Sequence, residues 1–136
     1  MKSRYGKILL IVLLQLLTAA FVFHFISIVY SEQQAAANGV STIEVKSGVR
    51  YLLLPLVVTV IIITGVIDRR LGSAFFKKAQ GGIIFAAFLC LLFIGWWMEM
   101  SVVYFIESMG YQDCGTTYSG VWLNVSLYAH ASEVCP

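Results

Sequence analysis

Charge is what this sequence has least of. Of its 136 residues only 12% are Asp, Glu, Lys or Arg, while 60% are apolar. Mean hydropathy is +0.86. A soluble domain must cover much of its area with polar groups, and this chain has too few. It is therefore expected in a membrane. A formal net charge of +2 is too small to draw nucleic acid to it. Chemical motifs are missing as well. The chain has no Gly-rich phosphate loop, no metal-ligand spacing and no nucleophile with a matching base. No enzyme and no cofactor is expected on that ground. Without an internal repeat it does not resemble an inverted-repeat transporter, and three helices can hardly enclose a solute path.

What is present is three long apolar runs, at about 8–30, 49–67 and 83–107. A helix needs roughly 20 such residues to cross the hydrocarbon core. Backbone groups left unbonded in lipid cost several kcal/mol, so each run is predicted helical, Val57 to Ile63 included. Pro55 falls in the first turns of the second run, where few hydrogen bonds are lost. The first run follows Lys2, Arg4 and Lys7 like a signal peptide, with Ala35-Ala36-Ala37 as a candidate cleavage site. It is longer than the roughly 7–15 apolar residues of a signal peptide, so a retained span is the expectation. Gly81-Gly82 is predicted to separate the third span from a short amphipathic helix carrying Leu71, Phe75 and Phe76 beside Lys77 and Lys78.

Lys and Arg are unevenly placed. Lys2, Arg4, Lys7, Arg69, Arg70, Lys77 and Lys78 fall on one side of the spans, and Lys46 and Arg50 on the other. The basic side is expected in the cytoplasm. Loop 31–47 and the tail 109–136 then face outward. Cys114 and Cys135 bracket that tail, where an oxidising compartment favours a structural disulfide. A redox pair is the alternative, but there is no C-x-x-C spacing. Cys90, inside the third span, is expected to be a small buried apolar residue.

In the tail, Val121, Leu123, Val125, Leu127 and Ala129 alternate with Trp122, Asn124, Ser126, Tyr128 and His130. Period two marks a half-buried strand. Residues 40–46 alternate too, and the two segments are predicted to pair into a small sheet capping the helix ends. The alternative is an irregular tail on the headgroups, anchored by Trp122 and Tyr128. Asn124-Val-Ser126 matches a glycosylation sequon, which has meaning only in a eukaryotic source. The predicted fold class is thus an all-α membrane protein of one domain, 1–136, with a disulfide-closed extracytoplasmic cap.

Glu99 is the one acid within a span and His24 the one histidine. Each lies about 24 Å along its helix from the basic side, so the two are expected to face each other. Such a pair is either a proton relay, a packing hydrogen bond or, if Glu99 reaches the interface, no contact at all. One pair gives a relay too few stations, so packing or outward snorkelling is expected. Trp96, Trp97 and Tyr104 flank Glu99; they read as an interfacial belt, with a lipid or quinone platform as the alternative. Gln15 and Thr18 are placed to bond a neighbouring helix.

Cys114-Gly115, Tyr118-Ser119-Gly120-Val121-Trp122 and Cys135-Pro136, with three spans and short loops, resemble an uncharacterised family of short enterobacterial inner-membrane proteins. That resemblance implies a bacterial inner membrane and a periplasmic tail, and no activity. In size and span count the chain is also similar to immunity proteins that protect bacteria from pore-forming colicins. This architectural likeness implies a protein partner, a toxin whose membrane-inserting helices it would bind and block. An accessory subunit of a larger inner-membrane complex is the other expectation, with partner subunits satisfying Glu99 and His24.

Overall fold

The computed structural model describes residues 2–136, with side chains from Arg4 onward, so the Lys2 side chain lies outside it. Three helices carry the chain: α1 Lys2–Ala37, α2 Leu56–Leu71 and α3 Ala74–Ser108. Three strands complete it: β1 Thr42–Ser47, β2 Tyr111–Ser119 and β3 Asn124–His130. A 3-10 turn, Val49–Leu53, joins β1 to α2 through Pro55.

Two helices overrun the expected spans. At 1.5 Å per residue, α1 is about 54 Å long and α3 about 52 Å, both well beyond the ~30 Å hydrocarbon core of a bilayer. The overrun has a local cause. Residues 31–37, expected in a loop, read Ser-Glu-Gln-Gln-Ala-Ala-Ala, and most of these are strong helix formers. At the other end of the bundle the predicted break at Gly81-Gly82 is absent. Helix α3 runs through both glycines from Ala74. The turn lies at Gly72-Ser73 instead, where Gly72 takes φ 56° and donates to the Asp68 carbonyl at 2.9 Å. That is a helix C-terminus closed by a left-handed glycine.

Three helical segments, Arg4–Ala37, Val49–Leu71 and Ala74–Ser108, are long and apolar enough to cross a membrane; the second joins the 3-10 turn to α2. Along most of their length they barely bury one another. Within their most apolar windows only 11%, 11% and 6% of residues are buried. Side chains such as Leu9, Leu13, Phe23 and Phe85 are exposed, a surface suited to hydrocarbon and not to water. Cys90 is exposed too, which corrects its expected burial: it sits on the outward side of α3.

The core gathers at one end, where the sheet meets the helices. Phe25, Val29, Glu32 and Ala36 of α1 are buried, as are Gly95, Glu99, Val102 and Ile106 of α3. Both sets recur at three and four residues, one stripe per helix. Ile43, Val45, Tyr111 and Tyr128 of the sheet close over them in the same cluster.

The sheet is antiparallel, in the order β1-β3-β2. Residues 40–46 were expected to pair with 121–130, and Thr42 faces Ala129 through to Ser47 facing Asn124. The tail is therefore not irregular. A third strand, β2, was not expected; it pairs along the free side of β3 with two register shifts between Asp113 and Tyr118. The buried face also differs from the simplest reading of the alternation. Ile43 faces Tyr128 and Val45 faces Ser126, so Tyr128 points to the helices and Leu127, opposite Glu44, does not. Cys114 and Cys135 form the expected disulfide, with Cα atoms 5.6 Å apart.

Candidate functional site

The densest polar structure lies where β1 turns into α2, between the stripes of α1 and α3. Glu32 and Glu99 reach this segment from opposite helices. Glu32 Oε1 accepts the Lys46 N–H at 2.9 Å, a donor on the edge strand that β3 does not take. Glu99 Oε1 accepts two backbone donors, Gly48 N–H at 2.9 Å and Arg50 N–H at 2.8 Å. Its Oε2 receives the Arg50 guanidinium at 3.1 Å. Glu32 is 7% exposed and Glu99 8%. Buried carboxylates are costly unless paired and hydrogen-bonded, and here both conditions hold for Glu99.

Two glycines make the approach close enough. Gly48 adopts φ 95°, a conformation that disfavours other residues. A Cβ there would lie 2.1 Å from the Trp122 carbonyl oxygen. On α3, a Cβ at Gly95 would lie 2.5 Å from Arg50 Cβ and 3.1 Å from its Cα. The chain at 48–50 is thus wedged between the β2–β3 connection and the surface of α3. Arg50 also stands over the Tyr51 ring, 5.7 Å from its centroid, and Tyr51 meets Trp122 edge-on at 5.4 Å.

Around Glu99 the site holds segment 48–50 against α3. Both backbone donors of the wedge and the guanidinium converge on Glu99, so its carboxylate is fully engaged. Between the two acids lies a small cavity of about 120 Å³, mostly apolar, bounded by Val29, Trp96, Met100 and Val103. In the sheet above, burial raises the Tyr128 phenol above its ordinary value of 10.0, and the charges of Asp113 and Glu107 push the same way.

The expected site residues are distributed around this junction. Glu99 was expected to face His24; its hydrogen bonds go to Gly48 and Arg50 instead. His24 lies on the exposed side of α1, in a separate hollow shared with Lys46 and Trp122. Trp96, Trp97 and Tyr104 are all exposed on the cap half of α3, with Phe93 packed at a tilt against both tryptophans. Trp122 is 69% exposed. Gln15 and Thr18 do meet a neighbouring helix segment. Thr59 Oγ1 donates to Gln15 Oε1 at 2.9 Å, and Thr18 Oγ1 reaches the Pro55 carbonyl at 3.4 Å.

Arg50, Glu32, Gly48 and Gly95 were not singled out by the sequence. Glu32 had a usable signal: it falls three residues after Val29 and seven after Phe25, on the α1 stripe. Arg50 had a weaker one, a basic residue at the membrane edge with an acid unaccounted for in the next span. Nothing in the sequence distinguished Gly48 and Gly95 from the other glycines.

Fold and site together define a helical protein with three potential membrane spans and a disulfide-closed three-stranded cap. Its cap is locked to the helices by two buried acids. Comparison with protein-family models, with curated proteins and with solved structures finds no match to the chain.

Proposed function

We propose that this is a non-catalytic, multi-pass protein of the bacterial inner membrane that binds and blocks a membrane-inserted partner, a pore-forming toxin. In this reading the N-terminus is cytoplasmic and the cap periplasmic, supported by the seven-to-two division of Lys and Arg. The observation that carries the reading is the contrast between the two parts of the molecule. The cap end is self-sufficient, with its two buried acids, Glu32 and Glu99, engaged within the chain. The helices toward the other end leave broad apolar faces uncovered. A rigid outer platform would meet a toxin arriving from outside, and open helix faces suit the packing of its inserted helices.

Self-sufficiency also counts against obligate assembly. Glu99 needs no partner subunit, which removes one reason to expect one. A single observation favours the second reading, an accessory subunit of a larger membrane complex. Gln15 Nε2 is buried and has no hydrogen-bond partner among the described residues; turned into the open hollow that Gln15 lines with Phe23 and Ile26, it would meet an acceptor on another chain's helix seated there.

The deciding experiment expresses the chain in a toxin-sensitive strain challenged with a pore-forming toxin encoded beside it. Survival at verified expression is the expected result. Unchanged killing removes the immunity reading, and stable co-purification with a larger assembly would then favour the accessory role.

A further inference from the structure

A hollow of about 350 Å³ opens beside the junction, on the side away from Glu99. Its walls come from four parts of the fold: His24 and Ile28 of α1, Lys46 of β1, Tyr51 and Leu52 of the 3-10 turn, and Trp122 before β3. Two features set it apart. Its lining holds three side-chain nitrogen donors, on His24, Lys46 and Trp122, and no acidic residue. Lys46 makes no ion pair among the described residues; it also borders the two neighbouring hollows, where Glu32 and Glu44 stand, and neither acid lines this one. A site with donors and no acid selects an anion.

The rest of the wall decides which kind. Ile28, Leu52 and the two aromatic rings make most of it apolar. Below His24, toward the other end of the bundle, Phe21 and Leu17 continue the same side of α1 at three- and four-residue steps, and both are exposed. A free phosphate would gain these donors but lose its water against apolar side chains. An amphiphile would satisfy both parts of the surface. Trp and Tyr at this position are also the side chains that favour the headgroup level of a bilayer.

We propose that this hollow holds one anionic phospholipid. The Lys46 ammonium and a His24 ring N–H take the phosphate, Trp122 and Tyr51 flank the headgroup, and an acyl chain lies along Phe21 and Leu17. Basic pockets beside membrane helices bind lipid phosphates by the same physics. The site requires that the chain lie in a membrane; it does not depend on the identity of any protein partner.

Native mass spectrometry of the full chain in neutral detergent tests this, with phosphatidylglycerol and phosphatidylcholine of the same acyl chains added in parallel. One phosphatidylglycerol is expected to stay bound under conditions that strip phosphatidylcholine. His24→Ala with Lys46→Ala should lower that retention roughly tenfold, the loss of at least one charge-assisted hydrogen bond. Lys46→Arg should keep it. If the double variant fails to form the Cys114–Cys135 bond, Lys46→Gln alone is compared with Lys46→Arg. Equal retention of the two lipids, or undiminished retention in the charge-removing variant, overturns the proposal. A large excess of inorganic phosphate should leave the lipid in place; displacement by it would assign the hollow to a free anion and overturn the lipid.

Discussion

Arg50 and Glu99 lie 49 residues apart and meet through three hydrogen-bonding donors on one segment: the Arg50 guanidinium, the Arg50 backbone N–H and the N–H of Gly48. The backbone half of that contact is independent of the arginine side chain, so the two residues are not equivalent. Arg50→Ala removes the counter-charge but leaves both N–H bonds. Glu99→Ala removes the acceptor for all three and leaves two part-buried backbone donors unpaired, at about 1–3 kcal/mol each. Glu99→Ala is therefore expected to destabilise the cap by more than Arg50→Ala. Glu99→Gln should fall between them, since its amide oxygen still accepts. Unfolding in detergent, followed by near-ultraviolet circular dichroism, ranks the three. Equal losses for Arg50→Ala and Glu99→Ala would mean that the ion pair alone holds the junction.

The glycines of the helices separate by what stands against them. A Cβ at Gly65 meets nothing within 4 Å, whereas one at Gly95 runs into Arg50 backbone and Cβ atoms. In a helix interior Ala is favoured over Gly by about 1 kcal/mol. Gly65→Ala should accordingly raise the thermal midpoint. Gly95→Ala should lower it, because α3 must move off the wedge. At Gly48 the positive φ and the Trp122 carbonyl oppose Ala together, so Gly48→Ala is expected to be the worst of the three. Thermal unfolding of the set in one detergent checks the order.

These contacts also mark what the sequence could and could not disclose. The three apolar helices were legible because crossing a bilayer would require such a length and composition of each. The pairing of residues 40–46 with β3 was legible because period two leaves few registers. The inward face of β3 was not: Tyr128, opposite Ile43, is buried, and Leu127, opposite Glu44, is only half-buried. Strand β2 was hidden in Gln112-Asp113-Cys114-Gly115-Thr116, which has no apolar alternation and pairs irregularly. Glu99 was recognised as an acid at membrane depth, but its partner was sought by depth, and His24 shared that depth. Arg50 reaches it from the neighbouring segment by way of a left-handed glycine, a path that hydropathy does not encode.

Tyr128 gives the cap an alkaline limit. Burial holds its phenol protonated beyond the ordinary value of 10.0. The folded state therefore binds this proton more tightly than the unfolded chain does. The resulting stabilisation is fully present below pH 10.0 and declines as pH rises through the raised folded value. Tyr128→Phe cannot ionise and should flatten that part of the profile. The measurement is cap stability against pH in the alkaline range, wild type beside variant. Identical slopes would show that Tyr128 is not held protonated by its surroundings.

Orientation has the widest consequences, because the leaflet that would meet the His24 hollow and the side from which the proposed toxin would approach both follow from it. The Gly72-Ser73 turn lies at the opposite end of the bundle from the cap, between Arg69 and Arg70 on one side and Lys77 and Lys78 on the other. A basic turn of this kind is expected on the cytoplasmic side. With Cys90 replaced by Ala and the disulfide intact, Ser73→Cys should resist a membrane-impermeant maleimide in intact cells and react once they are permeabilised. Asn38→Cys, exposed between α1 and β1, should react in both. The reverse pattern would place the sheet and its disulfide in the cytoplasm, where thiols are kept reduced, and would remove the basis for a toxin-facing cap.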